Sequence, residues 1–108
     1  MPRQITPAEL SARMQKGEKP YFLDVRQAWE NQLSRIEGSV LVPLDQLPSH
    51  LDDVQPGAGQ VIVTYCHHGT RSLSAAALLE QNGVKNVLSL AGGIDAWSTQ
   101  VDPKVPRY

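Results

Sequence analysis

The stretch "VIVTYCHHGTRSLSAAALLEQNG", residues 61–83, constrains the fold more than any other. It opens with a continuous β-branched run, which predicts a strand buried on both faces, as in the middle of a parallel sheet. It closes with a helical composition ending at Asn82-Gly83, where glycine supplies the left-handed backbone that stops a helix. The alanines between allow that helix to pack closely on a sheet. Strand, loop and helix in this order place Cys66 just beyond the carboxyl end of a central strand, where open α/β sheets bind ligands.

The rest of the chain repeats the alternation. "ITPAEL" reads as a helix start, with Thr6 as N-cap, Pro7 in the first turn and Glu9 closing a capping box; the helix should run to about Lys16 and end at Gly17. "YFLDV" predicts a buried strand that delivers Asp24 at its carboxyl end, and "QAWENQL" suggests one or two helical turns. "SVLVPL" is a second apolar run, stopped by Pro43, which cannot donate to a sheet ladder. Leu44, Leu47 and Leu51 have helical spacing interrupted by Pro48, so a short or kinked helix is expected there. "VKNVLSL" returns as a strand, and "AGGIDAW" turns on two glycines into a last helix. Strands alternating with helices argue for a parallel sheet covered on both faces.

A chain of 108 residues has room for one domain, with a core over about 4–100 and the tail "VDPKVPRY" at 101–108. Its 41% hydrophobic content suffices for a core, and a formal charge of -1 sets up no global field for a polyanion, so nucleic acid is not an expected partner. No window reaches the roughly 18 apolar residues of a membrane span. The lone cysteine cannot form an internal disulfide, and "MPRQITPAEL" lacks the basic start and apolar run of a signal peptide; both point to a reducing cytoplasm.

The chemistry concentrates in "YCHHGTRS", residues 65–72. Free N–H groups at the start of the following helix, and its positive dipole end, stabilise a thiolate on Cys66, and Arg71 adds a full positive charge. Cys66 is therefore read as a nucleophile in preference to an apolar filler. Cys66, His67 and His68 are all metal-ligand types, but consecutive residues in one tight loop cannot easily reach three corners of a tetrahedron, and no metal or other cofactor is expected. His50 reads as a surface or capping residue. A thioredoxin-like role fails because there is no C-x-x-C. Cysteine phosphatases have a similar loop with a longer spacer between cysteine and arginine. Here only His67, His68, Gly69 and Thr70 intervene, a narrower cradle that suits one added sulfur atom better than a phosphoryl group.

With "LDVRQAWE" at 23–30 and "AGGIDAW" at 91–97, this loop resembles that of single-domain rhodanese-like sulfurtransferases, and the likeness runs in order from Tyr21 to Trp97. The resemblance implies an α/β fold with a central, mostly parallel five-stranded sheet and helices on both faces. It also implies transfer of sulfane sulfur from a small anionic donor such as thiosulfate, through a Cys66 persulfide, to cyanide or a thiol acceptor. In that scheme the N–H groups of His67 to Arg71 hold the persulfide, Gly69 permits the tight turn and Arg71 steadies the donor's charge. His67 and His68 line the mouth, where partial protonation helps attract anions. Asp24 and Arg26 carry over as supports of the loop, or stand as a solvated strand-end pair. Trp29 and Trp97 are read as core or rim packing. "LSRIEGS" at 33–39 departs from related sequences and puts Arg35 near the mouth as an added positive charge. The tail resembles the ending of rhodanese domains attached to enzymes that activate ubiquitin-like sulfur carriers, which implies a sulfur-acceptor protein; otherwise it packs over the domain edge. A persulfide-carrying or protein-binding module without turnover is the alternative function, and a small phosphatase or arsenate reductase is a further one.

Overall fold

Five strands, β1 (Arg3–Ile5), β2 (Tyr21–Asp24), β3 (Val40–Leu41), β4 (Ile62–Tyr65) and β5 (Val87–Leu90), form one sheet in the order β1-β5-β4-β2-β3. Every pairing is parallel. The computed structural model describes residues 2–108. The β-branched run takes the middle of the sheet as expected: β4 pairs with β2 from Tyr21↔Ile62 to Asp24↔Tyr65, and with β5 from Ile62↔Val87 to Thr64↔Ser89. All four β4 residues are buried.

Residues alternate between the two faces of the sheet, as the period of a strand requires. Phe22, Val63, Tyr65, Leu88 and Leu90 face one core, closed by Leu10 of α1 (Pro7–Gln15) and by Ile94 and Trp97 of α4 (Gly93–Gln100). Leu23, Ile62 and Val87 face the other, closed by Ala75, Ala76 and Leu79 of α3 (Thr70–Gln81) and by Leu47. The small side chains of α3 let its backbone lie close on the sheet, and each fully buried leucine contributes about 1.5–3 kcal/mol. Helices thus cover both faces of the sheet.

Local signals in the sequence act as anticipated at both ends of these helices. Thr6 Oγ1 accepts the Glu9 N–H at 3.1 Å while Glu9 Oε1 accepts the Thr6 N–H at 2.9 Å, the reciprocal capping box. Asn82 caps α3 and Gly83 follows with φ +82°. Two differences from the sequence reading stand out. Residues 3–5 form a strand that periodicity did not reveal. The segment after Pro43 is not one kinked helix but two single 3-10 turns, Leu47–Ser49 and Leu51–Asp53. Pro48 lacks the N–H a continuous helix needs, and His50, with φ -126° between the turns, breaks the run.

α2 (Ala28–Leu33) is a helix of six residues whose one buried side chain is Glu30. It carries no apolar face into either core, and its position is fixed by polar contacts at the end of β2. Among the described residues no helix is long and apolar enough to cross a membrane.

Candidate active site

Cys66 leaves the carboxyl end of β4 and is buried, with 1% of its surface exposed. Two backbone N–H groups point at its Sγ: Gly69 at 3.1 Å and Ser72 at 3.3 Å. Ser72 is the third residue of α3, so its N–H belongs to the set left without a partner in the helix's first turn. The sulfur occupies the place of an N-cap oxygen. Ser72 Oγ lies 3.6 Å from Sγ and 2.7 Å from Ser89 Oγ, and the Ser72 carbonyl accepts from Thr64 Oγ1 at 2.9 Å. A buried tier of Thr64, Ser72 and Ser89 therefore supports the thiol from beneath.

The loop's backbone is held by two glycines. Gly69 sits at φ +107°, a conformation costly for any residue with a Cβ, and it packs against the backbone of Leu90 and Gly92. Gly93, at φ +65°, lies against the carbonyls of Cys66 and His67, and a Cβ there would fall on both. That approach lets the first N–H groups of α4 bind the loop: Ile94 donates to the Cys66 carbonyl at 2.9 Å and Asp95 to the His67 carbonyl at 3.2 Å. The "AGGIDAW" element is thus a clamp on "YCHHGTRS".

Above the thiol, Arg71 does not point freely into solvent. Its Nη1 and Nη2 donate to Glu30 Oε1 and Oε2 at 2.7 and 2.9 Å. Hydrogen bonds from Arg71 pull the Glu30 carboxyl down to about 2 against the opposing effect of burial, with further help from Tyr108 and the Gln27 N–H. The same pairing raises the Arg71 guanidinium. Tyr108 donates to Glu30 Oε2 at 2.6 Å, and its ring stacks on His67 at 4.0 Å between centroids and 11° between planes. His68 stacks on the same His67 ring at 3.9 Å.

Asp24 and Arg26 are fully buried, which rules out a solvated strand-end pair. Asp24 Oδ1 accepts the Arg26 N–H at 3.0 Å and Nε at 2.8 Å, and Oδ2 accepts Nη2 at 2.7 Å. The remaining Arg26 donors reach the Glu30 carbonyl at 3.4 Å, the Ser34 carbonyl at 2.5 Å and the Tyr108 phenol at 2.9 Å. These contacts raise the guanidinium despite burial, which opposes them most. The pair organises α2 and the tail, and reaches the loop through Glu30, through Tyr108 and at Tyr65, over whose ring the Arg26 guanidinium lies 5.3 Å from the centroid.

Other sequence expectations need adjustment. Burial first, and then repulsion from His68, lowers His67, so partial protonation of that ring is opposed. Thr70 is exposed at the first position of α3, and the donors found on Sγ are those of Gly69 and Ser72. Arg35 lines a separate cavity of about 580 Å³ with Met14, Phe22 and Trp97, and none of residues 66–71 reaches it. Trp97 is core, whereas Trp29 is 59% exposed and meets the Tyr108 ring edge-on at 6.2 Å. Three participants were not singled out from the sequence: Glu30, Ser72 and Tyr108. Ser72 was the most accessible of them, because the third N–H of a helix entered directly from a cysteine loop points back at the loop.

Candidate metal ligands gather once among the described residues, where ring nitrogens of His67 and His68 and a carboxylate oxygen of Asp95 lie within 4.8 Å of one another. A metal lies in the plane of each imidazole that binds it. Two ring planes tilted by 26° with centroids 3.9 Å apart do not meet within the roughly 2.0–2.1 Å of a zinc–nitrogen bond. Asp95 is moreover already paired with Arg107 at 2.9 and 3.3 Å. As placed, these three groups form a stacked rim and not a coordination shell.

The sequence matches the profile of the rhodanese-like domain over residues 6–100. The chain belongs to the rhodanese-like domain family. It is 33% identical over 98 residues to a sulfurtransferase of Allochromatium vinosum, covering 91% of this chain and 90% of that protein. It is 34% identical over 110 residues to an adenylyltransferase and sulfurtransferase of Zea mays, covering 97% of this chain but 23% of that protein. The chain therefore spans about a quarter of the length of such two-function relatives. The crystal structure of a rhodanese-related protein from Thermoplasma volcanium superposes with a TM-score of 0.82 at 27% identity, covering 98% of this chain and 99% of that one. The rhodanese-like family supports a function in transferring or carrying sulfur.

Proposed function

We propose that this rhodanese-like chain transfers sulfane sulfur from a small anionic donor such as thiosulfate to cyanide or a thiol acceptor, through a persulfide on Cys66. The observation that carries this reading is the pair of N–H groups from Gly69 and Ser72 aimed at Sγ. Donors fixed around a sulfur meet the negative charge it carries in the reaction, and here they are in place before any reaction begins.

The chemistry divides into two displacements. The Cys66 thiolate attacks the outer sulfur of thiosulfate; a new sulfur–sulfur bond forms, the donor's own sulfur–sulfur bond breaks, and sulfite leaves with the electron pair. Cyanide or an acceptor thiolate then attacks the outer sulfur of the persulfide, and Cys66 departs as thiolate. Thiocyanate or an acceptor persulfide is the product. The first-turn N–H groups of Thr70 and Arg71 have no partner inside the helix and are suited to the outer, anionic sulfur. A spacer of four residues between Cys66 and Arg71 keeps the cradle narrow and supports sulfur over phosphate as cargo.

The acceptor in this reading is a protein thiol, consistent with sulfurtransferase relatives in which a similar segment is part of a longer chain. A nucleophile that must remain reduced suits a reducing compartment such as the cytoplasm. The engagement of Arg71 by Glu30 favours one second reading, a sulfur carrier that receives its sulfur from another protein and turns over free thiosulfate poorly.

Intact mass before and after incubation with thiosulfate tests the proposal. A gain of one sulfur atom on the native protein, absent from Cys66→Ala, is expected. If neither gains sulfur from thiosulfate but the native protein gains it from a persulfidated donor protein, the carrier reading replaces the first.

A further inference from the structure

The tail is a built strap across the carboxyl end of the sheet. Val105 is buried in the core beside Trp97, and its carbonyl accepts from Ser98 Oγ at 2.5 Å. Asp102 Oδ1 accepts the Lys104 N–H at 3.1 Å, and Arg107 pairs with Asp95 on α4. These anchors bring Tyr108 to the rim of the Cys66 loop, where it meets both walls. On one side its ring lies flat on His67; on the other its phenol bridges two charged side chains, accepting from Arg26 Nη1 at 2.9 Å and donating to Glu30 Oε2 at 2.6 Å.

The Glu30 carboxylate is the hinge of this arrangement. Its Oε1 accepts from Arg71 and from the Gln27 N–H at 3.1 Å, and its Oε2 accepts from Arg71 and Tyr108. The phenol therefore has two effects on Arg71. It fixes the rotamer of the carboxylate that holds the guanidinium, and it takes up part of the negative charge that would otherwise offset the guanidinium at the rim. The first keeps the guanidinium at the rim, and the second leaves more of its charge to an anion approaching Cys66.

We propose that Tyr108 is a positioning residue for reactions of anions at Cys66: its phenol sets the Glu30 carboxylate and draws on its charge, and so leaves more of the charge of Arg71, held at the rim by that carboxylate, to the incoming anion. This rests on the sulfur-transfer reading for its biological use, but its physical content stands apart from that reading. The residue touches no reacting atom, and it acts through Arg71.

Cys66 is the only cysteine in the chain, which allows a clean test. Its alkylation rate is measured with iodoacetate, an anion, and with neutral iodoacetamide, in the native protein, Tyr108→Phe and Arg71→Gln. In each reaction the thiolate forms a bond to carbon and iodide leaves, so the two reagents differ chiefly in charge. The ratio of the two rates reports the charge at the rim, and the iodoacetamide rate corrects for any change in thiol access. Phe keeps the stack on His67 and removes only the phenol oxygen. Tyr108→Phe is expected to lower the iodoacetate-to-iodoacetamide ratio threefold or more, in the direction of Arg71→Gln. A smaller change in Tyr108→Phe, or no change in Arg71→Gln, overturns the proposal. The ratio does not depend on persulfide formation, so the sulfur-transfer reading can fail in the mass experiment while this one stands.

Discussion

Glu30 holds Arg71 with both carboxylate oxygens, Oε1 at 2.7 Å from Nη1 and Oε2 at 2.9 Å from Nη2, across 41 residues of chain. The Glu30 side chain is 4% exposed and that of Arg71 36%, so solvent screens the pair from one side only. Because the folded protein depresses this carboxyl to about 2 from an ordinary 4.5, its contribution is complete above pH 4.5 and is lost as pH falls through about 2. Glu30→Gln should cost about 1–2 kcal/mol at pH 7, allowing for the exposed side of the pair. Urea unfolding of both proteins from pH 7 to pH 2 checks this. The gap should be constant down to about pH 4.5 and close below it; a gap independent of pH would mean that the ionised carboxyl is not its source.

The buried Asp24–Arg26 pair makes a different demand. Both side chains are 0% exposed, so removing the charge of one strands the other. Asp24→Asn should destabilise the protein by about 3–5 kcal/mol, the range for breaking a buried pair. Changing Arg26→Met in the same chain should recover part of that loss, since no buried charge is then left unpaired. Urea midpoints for the two single variants and the double variant give the coupling directly. Additive losses would contradict the pairing.

Much of this fold was legible because its central unit is written in local chemistry. The β-branched run of β4, the loop and the alanine-rich α3 each have a pattern that survives without context. The edges divide: β3, Val40–Leu41, lies inside the apolar run read at "SVLVPL", whereas β1 is three residues long with Arg3 and Gln4 exposed. A strand like β1 exists because a neighbour supplies its hydrogen bonds, and periodicity has nothing to register. The same division runs through the site. Cys66, Gly69 and Arg71 lie within one short motif, while Glu30 meets Arg71, and Tyr108 meets Glu30, only after folding. Glu30 did leave one trace, its place three residues after Gln27, whose N–H its Oε1 accepts. Reading that glutamate solely as a helix-start residue hides the arginine on its other side.

Gly93 offers a sharper test of the loop clamp than the loop residues themselves. At φ +65° any side chain is strained by about 1–2 kcal/mol, and at this position a Cβ also lands on the Cys66 and His67 carbonyls. Gly38, at φ +83°, has open space around the same atom. Gly38→Ala should therefore cost about 1–2 kcal/mol and leave Cys66 chemistry unchanged. Gly93→Ala should cost more and slow sulfur uptake from thiosulfate at least tenfold, because the carbonyls that receive Ile94 and Asp95 must move. Equal effects of the two variants on uptake would show that the clamp does not position the thiol.

Ser72 separates the side-chain and backbone contributions to the cradle. Its N–H is 3.3 Å from Sγ; its hydroxyl accepts from the Cys66 thiol at 3.6 Å and donates to the Gly69 carbonyl at 3.1 Å, so a Cys66 thiolate must draw that proton away from the carbonyl, with Ser89 Oγ at 2.7 Å able to donate to the same hydroxyl. A hydrogen bond to a charged atom contributes about 1.5–3 kcal/mol, roughly 10- to 100-fold in a rate that depends on the thiolate. Ser72→Ala keeps the N–H and removes the hydroxyl, so sulfur uptake should slow by about tenfold or more. Ser89→Ala leaves the Ser72 hydroxyl in place and should slow it by less. Quenched-flow mass measurement of the persulfide, with circular dichroism to verify folding, gives both rates. Uptake by Ser72→Ala within twofold of native would assign the stabilisation of the sulfur to the backbone N–H groups of Gly69 and Ser72 alone.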